Sequence, residues 1–127
     1  MTSTRVSLDD IIRKAADNPF DTDEVAAVCV EQSITRDDFA DLVSRTIASR
    51  YHSGELDFGF CDGVMNHLYA FITMRGDLPM PDYAYSVFLA FDEGEYYHTG
   101  DPPGSSPEEL YTRPAIAEIL TGDAQVT

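Results

Sequence analysis

The sequence predicts an all-α fold: one compact helical bundle of five to six helices over residues 1–127, with no domain boundary. Three observations lead there. Capping residues stand just before several stretches whose apolar positions recur at helical spacing. One long middle stretch is apolar on most sides, the pattern of a central helix. Segments bearing proline and glycine separate these stretches, and no internal repeat runs through the chain.

Ser7, with Asp10 three residues later, resembles a capping box, and Leu8, Ile11, Ile12 and Ala15 follow at helical spacing. Asn18-Pro19 stops that helix, because a residue before proline is pushed out of the helical region. Asp21 or Thr22 opens a second helix, in which Val25, Val28 and Cys29 share a face. Thr35 and Asp38 open a third, where Phe39, Leu42, Val43 and Ile47 make one apolar stripe. Asp41 can pair with Arg45 one turn on, and Gly54 closes the helix.

From about Asp57 to Met74 the chain turns apolar: Phe58, Phe60, Cys61, Val64, Met65, Leu68, Phe71 and Ile72 leave only Asp62, Asn66 and Thr73 as a polar strip. Gly59 and Gly63 weaken a helix but permit close packing against it. Arg75 to Pro81 reads as a turn or short loop. Tyr83 to Phe91 fits a helix through Ala84, Val87, Phe88 and Phe91, with Pro81 and Asp82 as the start signal. Its aromatic content, followed by DEGEYY, leaves a small hairpin over 83–98 as the alternative. Gly100 to Ser106 is the plainest loop, and Ser106-Pro107-Glu108-Glu109 then opens the last helical region. Pro114 interrupts that helix or restarts it from Thr112, and Ile116, Ile119 and Leu120 form a face before Gly122.

Charge dominates the composition, with 23 Asp and Glu against 8 Lys and Arg, net −15 in 127 residues. Apolar residues at 43% and aromatics at 11% exclude a disordered acidic tail. So strong a negative field repels phosphates, which argues against direct nucleic-acid binding and against anionic membrane surfaces. It attracts and steers a basic protein. No apolar run approaches the ~20 residues of a membrane span. The start, MTSTRVSLDD, lacks an apolar signal segment, so the expectation is a cytoplasmic protein. Cys29 and Cys61 fall in apolar helical stretches and read as reduced, buried thiols.

Few patterns point to chemistry. No nucleophile signature surrounds either cysteine or His52, His67 and His98. Asp62 and Asn66 share a helix face, whereas His67 lies about 100° further round, so a self-satisfied polar strip in the core is expected over an active site. A small helical enzyme using His67 and Asp62, with Cys61 beside them, is the alternative. No metal-ligand spacing and no phosphate loop occurs, so neither a metal nor a cofactor is expected. The stretch EVAAVCVEQSITRDDFADLV has the outline of a helix-turn-helix. Its second helix would present Asp37, Asp38 and Asp41 to phosphates with Arg36 as the main counterweight, so an ordinary helical hairpin is expected.

What remains is clustered acidity. Asp92, Glu93 and Glu95 sit beside Tyr96, Tyr97 and His98, with Asp101 just beyond. Carboxylates accept charge-assisted bonds from Arg or Lys, and exposed tyrosines add contact area at low entropic cost. Asp92, Glu93, Glu95, Tyr96, Tyr97 and Asp101 are therefore the expected partner-binding set. Asp37, Asp38 and Asp41, expected on the solvent side of the third helix, are the alternative face.

Arg50 to Phe58, RYHSGELDF, resembles the turn R/Y-x-x-G-E-hydrophobic of small acidic helical immunity proteins of the bacterial colicin and contact-dependent growth inhibition type. That resemblance implies a compact helical inhibitor that neutralises a cognate toxin domain, often a basic nuclease. The matched stretch is a helix joint, so no family binding residue carries over from it. A nucleic-acid-mimicking inhibitor or acidic adaptor of a host complex is the alternative with the same electrostatics.

Overall fold

The computed structural model describes residues 7–74 and 79–126, with side chains described as far as residue 122. Among these the chain is all helix and turn: α1 (Leu8–Ala15), α2 (Thr22–Gln32), α3 (Arg36–His52), α4 (Phe58–Thr73) and α5 (Asp82–Glu93). A π-helical turn (Glu108–Thr112) then runs into α6 (Arg113–Val126). Arg75 to Leu78, most of the expected loop, lies outside the described residues.

The capping residues act as the sequence indicates. Ser7 Oγ accepts from the Asp10 amide, and Asp21 accepts from the Asp23 and Glu24 amides; Asp57, marked only as the start of the apolar stretch, also caps, accepting from the Phe60 amide. At α3 the box is reciprocal, with Asp38 N–H bonded to Thr35 Oγ1 and Thr35 N–H to the Asp38 carboxylate. Helix α2 ends at Ser33, which takes a left-handed conformation with φ 54°, and Gly54 does the same after α3 with φ 84°.

Residues 83–98 hold a helix and a turn, not a hairpin. Pro81 has no side chain able to cap α5, and Asp41 of α3 reaches across to accept from the Ala84 amide at 3.3 Å. One orphan donor of the helix start is thus satisfied by another element. At the last region Pro114 lacks the N–H that would bond back to Leu110. The backbone absorbs this as the π turn, where Arg113 N–H bonds to the carbonyl of Glu108. Gly122 does not end α6, which runs on to Val126.

The expected central helix is corrected by the packing. Helices α3 and α5 share the centre: α3 touches α2, α4, α5 and α6 and buries Phe39, Val43, Ile47 and Tyr51, and α5 touches α3, α4, the π turn and α6. Helix α4 is a wall. It packs on α1, α3 and α5 but leaves Asn66, Tyr69 and Ala70 exposed. Gly63 shows why α1 can close on it, since a Cβ there would sit 2.3 Å from the carbonyl oxygen of Ala16. Phe20, from the segment after α1, inserts edge-on against Phe39 and beside Phe71.

Candidate interaction surface

Charge is partitioned between the two sides of this bundle. The described basic residues lie on α1, α3 and α6, and between Tyr51 and Thr112 the sequence holds one Lys or Arg, Arg75. Lys14 meets Glu24 at 2.6 Å, Arg50 holds Asp9 and Glu55, and Arg113 holds Glu108 and Glu109. Arg45 covers the Tyr83 ring. Arg36, the expected counterweight of a DNA-reading helix, turns inward: it stacks on Phe71 and donates to the Phe71 carbonyl at 2.9 Å. None of Asp62, Asp82, Asp92, Glu93 and Glu95 joins an ion pair among the described residues.

Five of the expected partner-binding residues follow one another where α5 gives way to the loop. Asp92 and Glu93 end the helix, Gly94 turns the chain, and Glu95, Tyr96 and Tyr97 follow. Gly94 is required there, because a Cβ would strike the Thr112 hydroxyl, which itself bonds the Ala90 carbonyl. Tyr96 and Tyr97 are 50% and 67% exposed, so neither ring is a core residue. Tyr96 stacks on His98, and His98 lies against Tyr111, whose hydroxyl donates to Asp101. Asp101 also accepts from the His98 amide at 2.8 Å. Those two donors hold its carboxyl below the ordinary carboxylate value.

Glu95 points back to α4, where its carboxylate accepts from the Asn66 amide at 2.9 Å and meets the carboxyl of Asp62. Two carboxyls can bond only if one keeps a proton. Burial first, then the Glu95 contact and the negative charge around it, push the Asp62 carboxyl well above its ordinary value. Asp92 is raised for the same leading reason, desolvation, with Glu95 and Glu93 adding to it.

The polar strip of α4 therefore differs from expectation. It lies at the α4–α5 surface, not across the core, because Asn66 is exposed and its closing partner comes from the loop. His67 goes elsewhere: Nδ1 lies 2.6 Å from the Ala15 carbonyl, closing the end of α1. Asp62 and His67 thus have separate partners on separate faces. Cys61 is buried beside them as a free thiol whose pKa burial pushes up to about 12, and Cys29 is free and half-buried. Among the described residues no group of three or more His, Cys, Asp or Glu could hold a metal ion.

The alternative face is mostly committed to structure. Asp38 belongs to the α3 capping box, and Asp41, expected toward solvent, is half-buried and bonded to α5. Only Asp37 stands in the open without such a bond. The stretch Arg50 to Phe58 is a joint, tied by the Glu55 and Leu56 amides to the Arg50 carbonyl.

One group escaped sequence reasoning. Tyr69 of α4 stacks on Phe88 of α5, ring centroids 4.3 Å apart and 10° from parallel, and Tyr85 stacks beside both. The signal was present as Tyr85, Phe88 and Leu89 at helical spacing, but it reads equally as core. No helix among the described residues is long and apolar enough to cross a membrane. Comparison with protein-family models, curated proteins and solved structures gives no match for this chain.

Proposed function

We propose that this chain is an inhibitor that binds and neutralises a basic protein partner, in the manner of an immunity protein against a toxin nuclease. Asp92, Glu93, Glu95 and Asp101 engage Arg or Lys of the partner, and Tyr96 and Tyr97 supply apolar contact between them. The observation that carries this reading is the charge partition. On the α1–α3 side Asp9, Asp10 and Glu24 are met by Arg or Lys, while the α5 end and its loop present carboxylates and two exposed tyrosines without any Lys or Arg nearby in sequence. Unpaired acids at that density repel one another, and an incoming cation relieves the repulsion.

The test is capture from the native cell at low salt, followed by assay of what is retained. A basic protein should be retained, should be released at roughly 0.5 M salt as screening shortens the Debye length, and should lose its nuclease activity as the chain is added. Glu93→Lys with Glu95→Lys should weaken the complex at least about tenfold while the helical signal stays unchanged. Retention of a neutral partner that resists salt would overturn the reading. Unchanged affinity in the double variant would move the interface off this end of α5.

A further inference from the structure

We infer that the exposed aromatic face shared by α4 and α5 is the seat of a cationic amphipathic helix of the partner, which lies along α5 with a basic residue over each end. This deepens the inhibitor reading and rests on it for the partner being a basic protein. Asp82, Tyr85, Leu89 and Asp92 follow at i, i+3, i+7 and i+10, which places them in one strip down α5. The strip is apolar in the middle and acidic at both ends. Tyr85 and Leu89 are 42% and 37% exposed, and Phe88 ties Tyr85 to Tyr69 of α4, itself 37% exposed.

Stacked rings of this kind do two jobs for a cation-bearing partner. Their faces and edges give rigid apolar area, and their π clouds attract guanidinium and ammonium groups. A concavity of about 320 Å³, lined in part by Tyr69, Tyr85 and Asp82, adds room for one anchoring side chain at the α5 start. Helices α4 and α5 carry no Lys or Arg, and among the described residues neither Asp82 nor Asp92 joins an ion pair, so an occupant with basic residues at both ends complements the strip. A second copy of this chain would bring the same acids to the face and be repelled. The acids stand about 15 Å apart along the axis at helical rise, which sets the spacing of the partner's cations at about ten residues of helix.

The probe is a synthetic helical peptide with arginines about ten residues apart, leucines on the face between them, and one tryptophan. The chain has no tryptophan, so the indole signal belongs to the peptide alone. The full chain should bind it at least about tenfold more tightly than a peptide of the same composition in scrambled order. Tyr85→Ala with Leu89→Ala should lose that preference, and Asp82→Lys with Asp92→Lys should transfer it to a peptide ending in glutamates. Both pairs are judged only with a native circular dichroism spectrum. Equal binding of patterned and scrambled peptides, or an intact preference in the Tyr85 and Leu89 variant, overturns the inference. So does a concentration-dependent dimer of the wild type that this variant abolishes. If the basic partner is captured and its affinity survives loss of Tyr85 and Leu89, this seat fails alone. If no basic partner exists, the inhibitor reading fails whatever the peptide does.

Discussion

The α1–α3 side and the α4–α5 side are built from similarly acidic sequence yet treat their carboxylates in opposite ways. On the first, Asp9, Asp10 and Glu24 are each met by an Arg or Lys, and Asp21 and Asp38 are taken up by helix starts. On the second, Glu95 is held by the Asn66 amide and meets another carboxyl, Asp62, with no Arg or Lys beside it, and aromatic rings stand in the open between the acids. Net charge alone does not distinguish the two conditions. A carboxylate already bonded to a guanidinium or a helix start offers little to a partner, because a competing cation has to displace that bond first. The partition, more than the total, marks where binding is to be sought.

The largest expected effect breaks the seam that joins the two sides. Gly63→Ala should cost about 2–3 kcal/mol, as overpacking against backbone does, because its Cβ would meet the Ala16 carbonyl and drive α1 off α4. Gly59→Ala, whose Cβ meets only the Asp57 carboxylate at an ordinary 3.7 Å, is the control and should be neutral or stabilising in a thermal melt.

Next comes a crossed comparison of charge reversals. Glu93→Lys with Glu95→Lys should leave the melting temperature nearly unchanged and weaken partner binding by about tenfold or more. Asp9→Lys, which removes one partner of Arg50 on the neutralised side, should do the reverse and lower stability by at most about 1 kcal/mol with binding intact. Equal binding losses from both would erase the distinction between the sides.

Asp62 gives a pH signature confined to the second side. Its folded pKa is raised, so the proton it keeps stabilises the fold fully below the ordinary carboxylate range, and that contribution is lost as pH rises through the folded value. Stability measured in denaturant should therefore climb as pH is lowered from roughly 8 to 5. Asp62→Asn keeps a donor for Glu95 without needing a proton. It should flatten this slope and be the more stable form at alkaline pH by about 1 kcal/mol. An unchanged slope would locate the pH dependence in other carboxyls.

The smallest effect sharpens the first side. Arg50→Ala loses two partly exposed ion pairs, and should cost about 0.5–1 kcal/mol at low salt and less as salt is added.

Capping chemistry is local, so Ser7, Asp21, and Thr35 with Asp38 marked helix starts that the structure keeps, and the left-handed turn at Gly54 was legible in the same way. Periodicity located the apolar faces but not their neighbours. It made α4 the centre, whereas α3 and α5 share it, because an all-round apolar pattern does not record which side the other helices cover. Asp41 looked like a surface acid since nothing local reveals that α5 begins with a proline and needs a donor partner from another element. Likewise Tyr69 and Phe88, nineteen residues apart, become one stacked face only when two helices are laid side by side.

By itself the chain's sequence settled the helical class, the helix starts and the excess of negative charge, all properties of neighbouring residues or of simple composition. Tertiary packing decided which of those charges are quenched, which carboxyls are forced to share a proton, and which rings face outward. Those outcomes depend on distances between residues far apart in the chain, and Coulomb forces, desolvation and stacking act across space with no regard to sequence order.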